Sequence, residues 1–254
     1  MIARDDPRDE SLAQEAERLG WSVLRLALLG TEPGPGREPF LQWLEAPPPG
    51  ASVAWTSRRA AEAQVEIALP RFRGTLARMP LFALGEESAA PMRDAGMKVE
   101  ISRGGEGAAI LADWIVRRRD VLGITRVAFL HGDKALPTLP NSLRAAGVQV
   151  ASFELYRTQY LSPDVIELTA ALEASWPVTA AFWSPSGVEA LEQLLSPESL
   201  AALRRDADVV PRGDTTHKAL LARDYRRARS PVHDARAFDS IALEALQSRQ
   251  RTAR

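Results

Sequence analysis

Val127–Thr158 reads VAFLHGDKALPTLPNSLRAAGVQVASFELYRT. It opens on Val127, Ala128, Phe129 and Leu130, an apolar run with the length and composition of a buried strand. His131-Gly132-Asp133-Lys134 follows as a polar turn. Pro140–Ala146 is helix-like, and Gly147 stands just past its end, where a helix commonly closes through a left-handed residue. Val148, Val150 and Phe153 begin a second strand that ends in Tyr156-Arg157-Thr158. The stretch is therefore a strand–loop–helix–strand unit.

The chain contains this unit twice. Under a shift of 127 positions Ile2 falls on Phe129, Arg4 on His131, Leu12 on Leu139, Gly20 on Gly147, Val23 on Val150 and Leu28 on Leu155. The same shift carries Trp55-Thr56-Ser57 onto Phe182-Trp183-Ser184. With one further residue, Gly85-Glu86-Glu87-Ser88 falls on Gly213-Asp214-Thr215-Thr216. Half of 254 is 127, so the pattern reads as a full-length internal duplication, with two lobes each long enough for its own core.

The rest of the chain supplies more strands and helices. Glu10–Leu19 has helical spacing, and Trp21–Leu29 reads as the strand after it. Thr31–Gly36 and Pro47–Gly50 are Pro/Gly-rich connectors, and no helix is expected straight after the first. That absence argues against a phosphate-binding loop. Ser52–Thr56, Pro80–Leu84, Lys98–Ser102, Val178–Trp183 and Asp208–Val210 read as strands. Ala60–Ala68, Ala89–Ala95, Ala108–Arg118, Asp164–Ala174, Val188–Leu195, His217–Ala222 and Phe238–Gln247 read as helices. The glycines of Arg103–Gly107 suit a strand-to-helix loop, because no Lys-Ser/Thr follows them. Alternating strands and helices predict an α/β fold of two doubly wound parallel-sheet lobes.

Composition narrows the function. The formal net charge of −1 gives no electrostatic reason to bind nucleic acid or an anionic membrane. Cysteine is absent, which removes disulfide and thiol chemistry. The charged start MIARDDPRDE lacks the apolar segment of a signal peptide, and no apolar run approaches a membrane span, so the expected place is the cytoplasm. Three histidines without paired spacing predict no metal site. In doubly wound sheets ligands gather at the carboxyl ends of strands. Thr56, Ser57, Ser88, Ser184, Ser186 and Thr216 stand at those ends, with Arg4 and His131 after the two repeat-opening strands. Each hydroxyl also precedes a helix, so helix capping is its alternative role. As a set, hydroxyls and helix N-termini suit a ligand carrying several carboxylates.

In order along the chain, these strand ends resemble the uroporphyrinogen-III synthase family. The motifs are Ala3-Arg4-Asp5, Trp55-Thr56-Ser57, Gly85–Ala89, His131-Gly132-Asp133, Gly147-Val148 with Tyr156-Arg157-Thr158, Trp183-Ser184-Pro185-Ser186 and Gly213–Thr216. The chain departs from the family pattern at His131, where Arg is usual, at Ser88 for Thr, and at Arg212, where an apolar residue is usual. The resemblance implies a bilobed fold joined by a two-stranded linker. Residues 1–30 with 160–254 would make one lobe and 34–156 the other, and 28–35 and 153–162 would be the linker strands. It implies a lyase that cyclises hydroxymethylbilane to uroporphyrinogen III with inversion of ring D, loss of water and no cofactor. It also implies a cytoplasmic monomer, with transient contact to the enzyme that supplies the substrate. Tyr156 is the implied group that assists hydroxyl departure, since a phenol is protonated at neutral pH and donates a hydrogen bond. Packing on the linker is its alternative role. Arg4, Thr56, Ser57, Arg58, Ser88, His131, Lys134, Ser184, Ser186 and Thr216 would bind substrate. The rival reading is a non-catalytic bilobed protein, or a diverged paralogue, that binds a tetrapyrrole or another polyanion.

Overall fold

The computed structural model describes residues 1–3, 9–102, 107–232 and 235–252. Its elements run α1 (Glu10–Arg18), β1 (Leu29–Pro33), α2 (Arg37–Glu45), β2 (Ala51–Trp55), α3 (Arg58–Ala77), β3 (Leu81–Ala83) and α4 (Gly85–Asp94). Next come β4 (Glu100–Ile101), α5 (Ala108–Leu122), β5 (Arg126–Gly132), α6 (Thr138–Ala145) and β6 (Gln149–Tyr160). The chain continues with α7 (Ile166–Glu173), β7 (Thr179–Phe182), α8 (Pro185–Glu192), α9 (Pro197–Asp206), β8 (Asp208–Pro211), α10 (Asp214–Leu221) and α11 (Ala235–Thr252). This is a mixed α/β fold whose sheets are mostly parallel. One sheet has the order β1-β6-β5-β2-β3-β4, and β7 pairs with β8.

The chain divides into two compact units, Met1–Gly30 with Gln159–Arg254 (unit 1) and Thr31–Thr158 (unit 2). In unit 2 the two-residue period of the strands decides which face each side chain covers. Val53 and Trp55 of β2, with Ala128 and Leu130 of β5, pack against Phe40, Leu44, Leu76 and Met92 of α2, α3 and α4. The alternate residues Ala54, Val127 and Phe129 pack against Leu111, Ile115, Leu139 and Leu143 of α5 and α6. Both faces are covered by helices, so the strands are almost continuously apolar, as parallel strands must be. In unit 1 the strand residues also divide between two apolar clusters. Ala180, Phe182 and Val209 belong to one apolar cluster, and Ile2, Ala181 and Val210 to another that includes Leu12 and Ala245 of α1 and α11.

Several expectations change. Among the described residues, the apolar run Trp21–Leu29 makes one parallel bridge, between Arg25 and Ile2, before β1 begins at Leu29. α2 does follow the Gly34-Pro35-Gly36 connector directly. The glycine amides there are not a phosphate cradle, because Gly34 N donates to Leu155 O (2.9 Å) and Gly36 N to Glu154 O (2.8 Å). A Cβ on Gly34 would stand 2.2 Å from Glu154 O, so glycine lets this turn lie against the backbone of β6. α3 continues past Ala68 to Ala77 and is kinked at Phe72, just after Pro70, whose ring removes a helical donor. α4 and α10 begin at Gly85 and Asp214, a few residues earlier than the apolar spacing indicates. α9 is an additional helix, which Ser196-Pro197 starts in the usual way, with Ser196 Oγ accepting from Ser199 N (3.2 Å). α11 runs on to Thr252, five residues past the expected end at Gln247. Residues 103–106 of the glycine cluster lie outside the described residues.

Candidate active site

Unit 2 brings one group of the expected residues together. β6 pairs with β5 in register up to His131 opposite Glu154, and the next pair is Gly132 with Tyr156. The skipped residue, Leu155, forms a bulge of the kind that re-aims a neighbouring side chain. Its carbonyl leaves the ladder and accepts instead from Gly34 N (2.9 Å) and Arg37 Nε (2.9 Å). Tyr156 consequently stands over Gly132. A Cβ on Gly132 would be 2.4 Å from Tyr156 Cε2 and Cζ, so the ring lies where any larger residue would intrude. Asp133 fixes the strand on both sides. Its amide donates to Tyr156 O (3.2 Å), and its carboxylate accepts from Thr158 N (2.9 Å) and Thr158 Oγ1 (3.1 Å).

The half-buried phenol is 3.1 Å from Ser57 Oγ. Ser57 has extended backbone and caps α3, accepting from Ala60 N at 3.2 Å. The capping role and the site role expected of Ser57 are thus held by one oxygen. Trp55 is fully buried and its Nε1 donates to Ser88 O (2.7 Å), tying the first turn of α4 to the end of β2. Ser88 itself is buried.

The other unit 2 residues lie differently. His131 stacks on Phe129 (5.0 Å between centroids), on the α5–α6 face of the sheet, and its Nδ1 is 2.9 Å from Gly132 O. Arg58 is paired with Glu62 one turn along α3 (2.7 Å). Thr56 is half-buried and Lys134 is exposed. In unit 1, Ser184 caps α8 and accepts from Gly187 N (3.2 Å), the counterpart of Ser57 in α3. Ser186 is half-buried in the first turn of α8. Thr216 is 1% exposed, and its Oγ1 has no hydrogen-bond partner among the described residues. Arg4 lies outside the described residues.

Tyr156 joins a hydroxyl chain that ends at a helix N-terminus. Tyr160 donates to Glu189 Oε2 (2.8 Å). Tyr225 is buried, and burial beside the Glu192 carboxylate pushes its phenol well above the ordinary range. Sequence reasoning read Gly132 as part of a turn and of the His131-Gly132-Asp133 motif, and missed that the space over it holds the Tyr156 ring. It also missed the pin from Trp55 to Ser88. Among the described residues no group of His, Asp or Glu is arranged to hold a metal ion. No helix there is long and apolar enough to cross a membrane.

The fold defines an α/β protein with hydroxyls and helix N-termini at the ends of its strands. The family model described as Uroporphyrinogen-III synthase HemD matches residues 10–237, and the chain belongs to the uroporphyrinogen-III synthase family, whose enzymes are cyclising lyases of tetrapyrrole biosynthesis. No curated protein matches the chain. Among solved structures, a mutant uroporphyrinogen III synthase from the extremely thermophilic bacterium Thermus thermophilus aligns with a TM-score of 0.61 and 20% identity, covering 97% of this chain and 98% of that one. The Helicobacter pylori 26695 uroporphyrinogen-III synthetase aligns with a TM-score of 0.60 and 17% identity, over 89% of this chain and 95% of that one. At these identities the likeness is one of fold.

Proposed function

We propose that this protein cyclises hydroxymethylbilane to uroporphyrinogen III, with Tyr156 as the donor that assists departure of the substrate hydroxyl. The observation that carries this reading is the chain Ala60 N–H, Ser57 Oγ, Tyr156 OH. Ser57 Oγ accepts from the helix amide, and in this reading its own hydrogen is donated to the phenol oxygen. The phenol hydrogen is then directed at the leaving hydroxyl. Each donor polarises the next, and the positive end of α3 sits behind them.

When the hydroxyl takes the phenol proton, its C–O bond breaks and water departs. The bilane's own pyrrole nitrogen supplies the electrons, which leaves an electrophilic azafulvene. The substituted carbon of ring D attacks it and forms the spiro intermediate. Reopening and reclosure invert ring D, and the proton released as the last ring regains aromaticity restores the phenol. The sum is loss of one water, with no cofactor. The nucleophile belongs to the substrate, so the protein's part is to hold the reacting ends together and assist the leaving group.

The hydroxyls of Thr56, Ser57, Ser88, Ser184, Ser186 and Thr216, with nearby helix amides, would hold the substrate carboxylates, and Arg4, Arg58, His131 and Lys134 would add charge. The internal duplication belongs to the same reading. A shift of 127 takes the limits of α1 to 137–145, against Thr138–Ala145 for α6. It takes β2 to 178–182, against Thr179–Phe182 for β7, and α5 to 235–249, against Ala235–Thr252 for α11. The segments 28–35 and 153–162 would link the units, and the protein would act as a cytoplasmic monomer.

The test is cyclisation of hydroxymethylbilane generated in situ by a coupled enzyme, with chromatographic separation of the type I and type III products. Mainly type III is expected without added metal or nucleotide. Spontaneous type I alone, at the uncatalysed rate, would leave a binding protein rather than an enzyme. Ser57→Ala should lose about 1 kcal/mol of stability as a helix cap. It should also lower kcat about ten-fold, while Ser57→Thr retains most of both. Melting temperature and kcat measured together check this, and an unchanged kcat would remove Ser57 from the donor chain. Thr216→Val should cost no stability, because its buried hydroxyl has no partner to lose. If that hydroxyl binds a carboxylate, KM should rise roughly five-fold, equivalent to about 1 kcal/mol.

A further inference from the structure

We infer that Arg37 is a positioning residue for Tyr156, acting through the Leu155 carbonyl while Glu66 holds its guanidinium. The inference rests on the role proposed above for Tyr156. Leu155 O and Tyr156 N belong to one planar peptide, so whatever holds that oxygen fixes the plane from which the Tyr156 side chain departs. At the bulge two donors reach this oxygen, Gly34 N (2.9 Å) and Arg37 Nε (2.9 Å). The peptide on the other side of Tyr156 is held as well, since Tyr156 O accepts from Asp133 N (3.2 Å).

Arg37 opens α2, and its long side chain has to be aimed. Glu66 of α3 aims it. Arg37 Nη1 donates to Glu66 Oε1 (2.9 Å) and Nη2 to Glu66 Oε2 (3.2 Å). A guanidinium is planar, so a two-point bond to one carboxylate sets its orientation as well as its place. With that plane fixed, Nε–H is directed at Leu155 O. The Glu66 side chain is 62% exposed, and an ion pair so open to water adds little to stability. What the pair supplies is geometry.

α3 thereby holds Tyr156 at both ends. Its N-terminus reaches the phenol through Ser57 Oγ, and Glu66 reaches the backbone through Arg37. Ser57 and Glu66 stand about 14 Å apart along the helix axis. The kink at Phe72 lies beyond both, so the span between them is regular helix. A ring tethered only by its hydroxyl could pivot about that point. Held also at its own peptide, it presents the phenol hydrogen in one direction, which is what assistance to a leaving group requires.

The test labels the full chain with fluorotyrosine, whose fluorine resonances report the surroundings of each ring, and Tyr156→Phe identifies the Tyr156 signal. Arg37→Met keeps an apolar stem and removes the guanidinium. It should shift or broaden the Tyr156 resonance and leave those of Tyr160 and Tyr225 in place, which a general loosening of the fold would not do. On unlabelled protein, cyclisation of hydroxymethylbilane should show kcat lowered about ten-fold with KM unchanged. Added to Tyr156→Phe, Arg37→Met should lower kcat little further. Arg37→Lys, which keeps one donor within reach of Leu155 O, should recover part of the loss. A Tyr156 resonance that Arg37→Met leaves unmoved overturns the inference. A raised KM with kcat unchanged overturns it too, by making Arg37 a substrate ligand. Wild-type kcat in Tyr156→Phe would instead overturn the role proposed for the phenol, and the fluorine signal alone then decides whether Arg37 positions the ring. If Arg37→Met fails to fold, Glu66→Ala decides, and a Tyr156 signal at its wild-type position there overturns the inference equally.

Discussion

Tyr156→Phe is expected to lower kcat by about 10²-fold, with KM and melting temperature close to wild type. The substitution removes one hydroxyl and keeps the ring that fills the space over Gly132. The hydroxyl's partner is Ser57 Oγ, which keeps its bond from Ala60 N, so little structure depends on it. General acid assistance typically contributes 10²–10⁴-fold, and the lower end applies because the substrate supplies its own electron push. Two decades correspond to about 3 kcal/mol of barrier. Steady-state kinetics on the coupled assay, with thermal melts as the folding control, check the result. Wild-type kcat in Tyr156→Phe would make the ring a packing group and leave the proton to water or to the substrate.

Gly132→Ala should be comparably damaging by a different route. One methyl group would stand 2.4 Å from two atoms of the Tyr156 ring and 2.8 Å from its hydroxyl, so the ring must move and the 3.1 Å contact with Ser57 is lost. We expect kcat to fall about 10²-fold and stability by about 1–3 kcal/mol, as for other small-to-large changes in packed sites. The double variant is the sharper measurement. If Gly132→Ala acts through the phenol, adding it to Tyr156→Phe should lower kcat little further, though stability should still fall. Multiplicative losses in kcat would show that Gly132 matters to the reaction in some other way.

The parts of this fold that were legible in the sequence are those whose cause is local. The buried strands β2 and β5 announce themselves as apolar runs, and Ser57 at the end of β2 marks the start of α3. Ser57 could be read as a cap or as a ligand residue because both readings use the same feature, a hydroxyl just before a helix. Only the structure shows one oxygen in both contacts. Gly132 was opaque because its reason lies in a ring that a bulge on the neighbouring strand delivers. Trp21–Leu29 has the composition of a strand, and among the described residues its pairing is the one bridge from Arg25 to Ile2. The glycines before α2 looked like a loop signature, while their actual use is close approach to the backbone of β6. α9 had a readable start in Ser196-Pro197, which the reading passed over.

The way the chain divides has a genetic consequence. Unit 2 is one uninterrupted stretch, Thr31–Thr158, and it contains Ser57, Ala60, Gly132 and Tyr156. Unit 1 is assembled from both ends of the chain. The two ends left by excising unit 2 are already neighbours, since Leu161 N donates to Leu28 O (3.0 Å) and Gly30 lies against Leu161 and Gln159. The gene is thus organised as one coding module nested inside another. A single internal coding segment carries the whole donor chain, and its removal with a few-residue splice leaves a host whose new junction needs almost no reach.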